Sequence, residues 1–88
     1  MKEKIVAAAI QYGGLTFSKP APARHGDVIY PMRDIGLPRE SVNTVNQGFL
    51  TSTGRFVERT EALKIALASG QPCAAPDNAY ILFSEDVW

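Results

Sequence analysis

Two hydrophobic periods alternate along this chain. Between Glu58 and Ser69 the apolar residues Ala62, Leu63, Ile65, Ala66 and Leu67 recur at helical spacing, and Gly70 followed by Pro72 stops the run. Just before it, Gly48-Phe49-Leu50-Thr51-Ser52-Thr53 has strand character, and Gly54 supplies a turn residue. A strand near 47–53, a turn at Gly54 and a helix near 58–69 form the segment around which the rest is arranged. Upstream, Lys4 to Ile10 is an apolar run of strand length, Gln11-Tyr12-Gly13-Gly14 is a turn, and Leu15 to Ser18 returns as the second arm of a hairpin. Lys19-Pro20-Ala21-Pro22-Ala23 is a stiff connector, too short to divide domains.

Val28, Ile29, Met32 and Ile35 then fall at i, i+1, i+4 and i+7, which predicts a helix over 27–35 with Asp27 as its N-cap. Pro31 either removes one hydrogen bond inside that helix or marks a start at Tyr30, and Gly36-Leu37-Pro38 ends it. Residues 39–47 read as a polar loop and 71–79 as coil. Tyr80 to Phe83 reads as a short strand or packed extended segment, and Ser84 to Trp88 as an acidic turn with a terminal tryptophan. The pattern predicts a single α+β domain: a small antiparallel sheet, made of the N-terminal hairpin and a third strand, packed with two helices.

Length and charge narrow the function. Eighty-eight residues sit near the lower limit for a self-sufficient core, so completion of that core by homo-oligomerisation is expected. Net charge is zero, which argues against a DNA or RNA coat, because such a protein needs a basic surface to displace counterions. Cys73 is the single cysteine, so no internal disulfide forms, as suits a reducing cytosol. No apolar run approaches the roughly 20 residues of a membrane span, and Lys2-Glu3-Lys4 leads into too short an apolar stretch for a signal peptide. A cytoplasmic protein without a membrane partner is expected. The charge is nonetheless uneven: Arg24, Arg33, Arg39, Arg55 and Arg59 lie in the middle, while residues 71–88 hold Asp77, Glu85 and Asp86 and neither Lys nor Arg.

Candidate chemistry centres on two of those arginines. At about 100° per residue Arg59 points with Ala62, Leu63 and Ala66 into the apolar stripe, and Arg55 lies four residues earlier. A helix N-terminus is already partly positive, so cations there call for something negative nearby. Exposed helix N–H groups, Arg55, Arg59 and the adjacent Phe56 together suit a phosphate or carboxylate ligand. The competing reading pairs both arginines with Glu58, Glu61 or the acidic tail and makes them structural.

Phe49 and Phe56 flank the Arg55 turn, where they either stack on a nucleobase or belong to the core. His25 beside Arg24 is a ligand-contact candidate or a capping and packing residue. Its spacing to Asp27 is not that of a catalytic triad, and no nucleophile elbow is present. No catalytic residue is therefore assigned. One His and one Cys do not build a tetrahedral zinc site, no phosphate-cradling glycine motif appears, and no cofactor is implied. Trp88 reads as core or a subunit interface if it docks.

The runs Gln47-Gly48-Phe49-Leu50-Thr51, Gly54-Arg55-Phe56-Val57-x-Arg59-x-Glu61-Ala62, Lys64-Ile65-Ala66, Gly70-Gln71 and Leu82-Phe83-Ser84-Glu85-Asp86 resemble a pattern in small phage proteins. They are similar in particular to the first described family of phage Thoeris anti-defence proteins. The leading Ile5-Val6-Ala7-Ala8-Ala9-Ile10 strand resembles that family's start, while the segment between the hairpin and Gly48 is shorter. The resemblance implies a non-enzymatic sponge in the bacterial host cytoplasm. Such a sponge sequesters a cyclic ADP-ribose-type signal made by TIR-domain proteins, or a cyclic oligonucleotide, and Arg55 and Arg59 contact its phosphates. A homo-oligomer holding a nucleotide signal is then expected. The rival from another class is a small inhibitor that binds a host protein directly through the acidic, aromatic C-terminus.

Overall fold

The computed structural model describes residues 2–88. Among these residues the chain forms β1 (Ile5–Tyr12), β2 (Leu15–Pro20), α1 (His25–Asp34), β3 (Gln47–Thr51), β4 (Phe56–Glu58), α2 (Arg59–Ser69) and α3 (Ser84–Val87). The strands pair antiparallel in the order β2-β1-β3-β4, so the α+β expectation holds, with a fourth strand and a short third helix beyond it. Gly13 and Gly14, with φ of 60° and 79°, take the paired left-handed positions that a two-residue hairpin turn requires. Gly54, at φ 88°, turns β3 into β4 in the same way that its place in the sequence implies.

Register decides which residues meet the helices. Across the sheet Ala8 pairs with Phe49 and Phe49 with Val57, so these three side chains share a face with Ile10. A register shift between Ile5 and Ala7 brings Ile5 to that same face, although strict alternation would have placed it opposite. Both long helices pack there. Val28 and Met32 of α1 cluster with Ala8 and Ile10, while Ala62, Leu63 and Ala66 of α2 cluster with Ile5, Phe49 and Val57. Ala8, the one alanine of β1 on this face, leaves room for α1 to come close to the sheet.

The opposite face is thinnest at Gly48. A Cβ added there would lie 2.7 Å from the Phe56 ring and collide with the Val57 carbonyl oxygen. Glycine is required at this position to let the ring settle on the backbone.

Local chemistry adjusts several expected boundaries. Helix α1 begins at His25 with Arg24 as N-cap; Asp27 is its third residue, and its carboxylate reaches back to accept the Arg24 backbone N–H at 2.8 Å. Pro31 sits inside the helix without ending it. At the far end Gly36 (φ 86°) donates to Arg33 O and Leu37 donates to Met32 O, a Schellman closure that returns Leu37 to the α1 cluster. The polar segment 39–46 is two short 3₁₀ turns rather than plain loop, held by Asn46 and Gln47 side chains on the carbonyls of Glu40, Ser41 and Val42. Tyr80 to Phe83 joins no strand. Leu82 is instead pinned by its N–H to Arg59 O and fully buried beneath α2.

The terminal tryptophan docks. Trp88 donates its indole N–H to Ala23 O at 2.6 Å, meets Phe49 edge-on at 6.3 Å, and packs against both helix clusters. Replacing a buried Trp by Ala costs about 3–5 kcal/mol, and Trp88 is half-buried, so Trp88→Ala is expected to cost about 2–3 kcal/mol. For a domain of this size that is a melting temperature lowered by roughly 10–20 °C. Thermal denaturation followed by circular dichroism checks this; an unchanged melting point would mean that the indole joins nothing.

Candidate functional site

The two arginines singled out by the sequence lie in different surroundings, with no partner in common. Arg55 is saturated. Its Nε and one terminal nitrogen each meet a carboxylate oxygen of Glu3 at 2.8 Å, and its other terminal nitrogen meets Glu61 at 2.7 Å. Thr51 and Thr53 donate their hydroxyls to the same Glu3 oxygen at 2.5 and 2.6 Å. Hydrogen bonds from Arg55 and the two threonines hold the Glu3 carboxyl down at about 2, and the same carboxylates hold the Arg55 guanidinium above its ordinary value. This cluster ties the start of β1 to the β3–β4 turn and the first turn of α2. Structural pairing accounts for one N–H on each of the three Arg55 nitrogens and balances its charge, so this arginine makes a weaker demand for an outside anion than one without a carboxylate partner.

Arg59 is the opposite case. It is the first residue of α2 and half-buried. One terminal nitrogen donates to Leu82 O at 3.2 Å, the other to the Gln47 side-chain oxygen, and the guanidinium lies over the Phe83 ring at 4.9 Å. Its Nε is buried without a hydrogen-bond partner. The ion pairs among the described residues join Arg24 with Glu85 and Arg55 with Glu3 and Glu61, leaving Arg59 with no carboxylate in contact. Burial lowers its proton affinity, opposed in part by Glu85, but a guanidinium stays charged. Arg59 lines an open cleft of about 270 Å³ with Thr44, Val45, Gln47, Glu58 and Ile81.

The remaining candidates separate from this cleft. Phe49 is fully buried, edge-on to His25 at 5.0 Å and to Trp88, so it offers no face to a nucleobase; it is core. Phe56 is half-buried over Gly48, and register puts it on the sheet face opposite Phe49. Arg24 is exposed, 3.6 Å from Glu85. His25 is buried, and its Nε2 lies 2.7 Å from the Gly48 carbonyl; since a carbonyl only accepts, Nε2 carries the proton. Burial, seconded by the charge of Arg59, holds this imidazole below its ordinary range and therefore neutral. His25 is packed into the fold, with its Nε2–H given to the Gly48 carbonyl.

Sequence reasoning gave no role to Glu3, Gln47, Leu82 or Phe83. Gln47, Leu82 and Phe83 lie in the runs that carried the family resemblance, but nothing in their spacing says that they converge on Arg59. Glu3 has no local signal at all. No group of three His, Cys, Asp or Glu among the described residues is placed to hold a metal ion, and none of their helices is long and apolar enough to cross a membrane.

The Glu3 cluster carries a pH signature. Its carboxyl is near 2 in the folded chain against 4.5 in the free residue, so the stabilisation is complete above about pH 4.5 and is lost as pH falls towards 2. Glu3→Gln is expected to be less stable at neutral pH and to lose most of the acid sensitivity in that window. Urea denaturation at several pH values measures it, and parallel pH profiles for the two proteins would refute the cluster.

One comparison adds to this geometry. The family model described as phage T4 y16D protein matches residues 4–88. No curated protein and no solved structure matches the chain. A match over nearly the whole chain, hairpin to terminal tryptophan, makes this a phage protein of the T4 y16D family.

Proposed function

We propose that the chain is a phage anti-defence binding protein that sequesters a phosphate-bearing nucleotide signal in the host cytoplasm without turning it over. The family resemblance suggests a ligand of the cyclic ADP-ribose or cyclic oligonucleotide type. The observation that carries the reading is Arg59: a half-buried cation at a helix N-terminus, with an orphaned N–H and no carboxylate in direct contact, opening onto a cleft that Glu58 also lines. Desolvating a charge is costly unless something negative offsets it, and helix N–H groups strengthen the demand for an anion. Phe83, rather than Phe49, is the aromatic that holds the guanidinium flat. Thr44 and Gln47 supply polar side chains at the rim, and Val45 and Ile81 apolar ones.

At about 270 Å³ the cleft is smaller than most pockets that enclose a nucleotide, which run from roughly 300 Å³ upward. It suits a phosphate and part of a sugar, with a second copy of the chain covering the rest, in line with a homo-oligomer.

The test incubates the protein with cyclic ADP-ribose isomers and cyclic di- and trinucleotides, removes free ligand, heats the protein and analyses what is released. An unchanged nucleotide recovered after denaturation is expected. Arg59→Ala removes a charge-assisted contact and should weaken binding roughly 10- to 100-fold. Arg55→Ala should lower the melting temperature while keeping the affinity of whatever remains folded. Equal binding by wild type and Arg59→Ala sinks the site, and a chemically altered product sinks the sponge.

The direct-inhibitor reading keeps one specific observation. Tyr80, 76% exposed, and Phe83 line a cleft of about 280 Å³ with Pro76, Ala79 and Ile81 in the Lys- and Arg-free C-terminal segment. Because Trp88 is part of the packing, removing residues 84–88 would damage the fold, and Tyr80→Ala is the cleaner probe. Anti-defence activity lost in Tyr80→Ala with nucleotide binding intact would favour this reading.

A further inference from the structure

A third cleft, of about 300 Å³, is lined by Ile29, Arg33, Leu37, Arg39 and Val42. Its construction follows from the end of α1. Arg33 stands in the last turn, Gly36 reverses the chain, Leu37 folds back onto the α1 cluster, and Pro38 leads into the 3₁₀ turn that Arg39 opens. The backbone between the two arginines is thus ordered by a Schellman closure and a proline, and both line the cleft. Neither belongs to any ion pair among the described residues, even though Asp34 and Glu40 are their chain neighbours.

Three aliphatic side chains, partly buried against the α1 cluster, form the floor. Two free guanidinium groups over an aliphatic floor complement one chemistry: carboxylates flanking an aliphatic or aromatic side chain. Carboxylates pair with guanidinium forks in bidentate geometry, and the floor takes the apolar residue. A nucleotide fits less well, since the lining has neither an aromatic ring for stacking nor an amide or hydroxyl side chain to read a base edge. The zero net charge of the chain likewise makes this a local patch and not a field that gathers polyanions.

We propose that the Arg33–Arg39 cleft is a docking site for an acidic, apolar peptide segment of a partner protein, separate from the Arg59 cleft. Such a site couples capture of a small ligand with attachment to a protein partner in one short chain. The site stands on its own residues and does not depend on what Arg59 holds.

The test uses the full chain and an array of short synthetic peptides in which two Asp or Glu residues flank Leu, Ile or Phe, each beside its Asn/Gln counterpart. Acidic peptides are expected to bind, with the amide counterparts and the Arg33→Gln/Arg39→Gln double variant each weaker by roughly tenfold or more. The best binder, titrated into methyl-labelled protein, should shift the methyl signals of Ile29, Leu37 and Val42. Both arginines are exposed and unpaired, so the double variant should melt with the wild type; Arg59→Ala should bind these peptides normally. Three results overturn the proposal: no acidic peptide exceeding its amide counterpart, binding that survives the double variant, or methyl shifts elsewhere. Adenosine monophosphate or inorganic phosphate saturating the same methyls as well as any peptide would mark a small-anion site instead, and the peptide assignment would fall.

Discussion

The docking of Trp88 onto Phe49 is the contact on which the architecture turns. Both long helices occupy one face of a four-stranded sheet, each over its own small cluster of buried side chains, and a chain this short has no further element to fill the seam. Phe49 rises from β3 into that seam with His25 on one edge and Trp88 on another, and the indole reaches both clusters. Edge-to-face aromatic packing and one part-buried hydrogen bond, indole to Ala23, close the gap. The last turn of the chain is therefore core. It also fixes what precedes it: with Trp88 anchored and the Leu82 N–H on Arg59 O, Phe83 is held over the guanidinium. The ring that packs on Arg59 thus depends on the terminal dock.

Arg55 and Arg59, four residues apart, show how differently one side-chain type is used. Arg55 is exposed and meets two carboxylates, one of them already preorganised by two threonine hydroxyls. Such a network loses less conformational entropy per bond than an isolated pair, because Glu3 is fixed by its other partners. Arg59 is less solvated and has only neutral acceptors, a backbone carbonyl and a glutamine oxygen, beside the positive end of α2. The fold thus neutralises the arginine that needs it least. In a domain of marginal size this arrangement is hard to explain as stabilisation, which is why the candidate site narrows to Arg59.

Most of the fold was legible because its signals are local. Gly13-Gly14, Gly54 and Gly70 each mark a change of direction that a left-handed backbone must make, and the helical spacing of Ala62, Leu63 and Ala66 matches the buried face of α2. Asp27 as N-cap is three residues late, because an acidic residue in a first turn serves as well in third place, reaching back, as in the cap position. Strand β4 escaped because three residues carry no period, and it forms only through pairing with β3. The site was less legible. Helical spacing put Arg59 on the inward side of α2 correctly, but nothing local distinguishes it from Arg55. What separates them is whether Glu3, from the far end of the chain, arrives at one or the other. The Phe49 and Phe56 assignments likewise turn on sheet register, which a single strand does not disclose.

Sheet register also decides where the chain has room for function. The shift after Ile5 commits that side chain to the helix-covered face, leaving Ala7, Ala9 and Gly48 on the opposite one under Leu50 and Phe56. Small residues there make room for the Phe56 ring over Gly48, and neither arginine cleft includes them. Depressions with charged walls form instead where helices meet irregular chain: at the start of α2, where residues 44–47 and 81 close on Arg59, and at the end of α1, where residues 37–42 close on Arg33. These are the places where backbone leaves regular pairing and long side chains gain room to stand apart from their neighbours. In this two-layer domain the clefts that carry Arg59, Arg33 and Arg39 lie at helix ends, while Arg55 stands in the turn between β3 and β4.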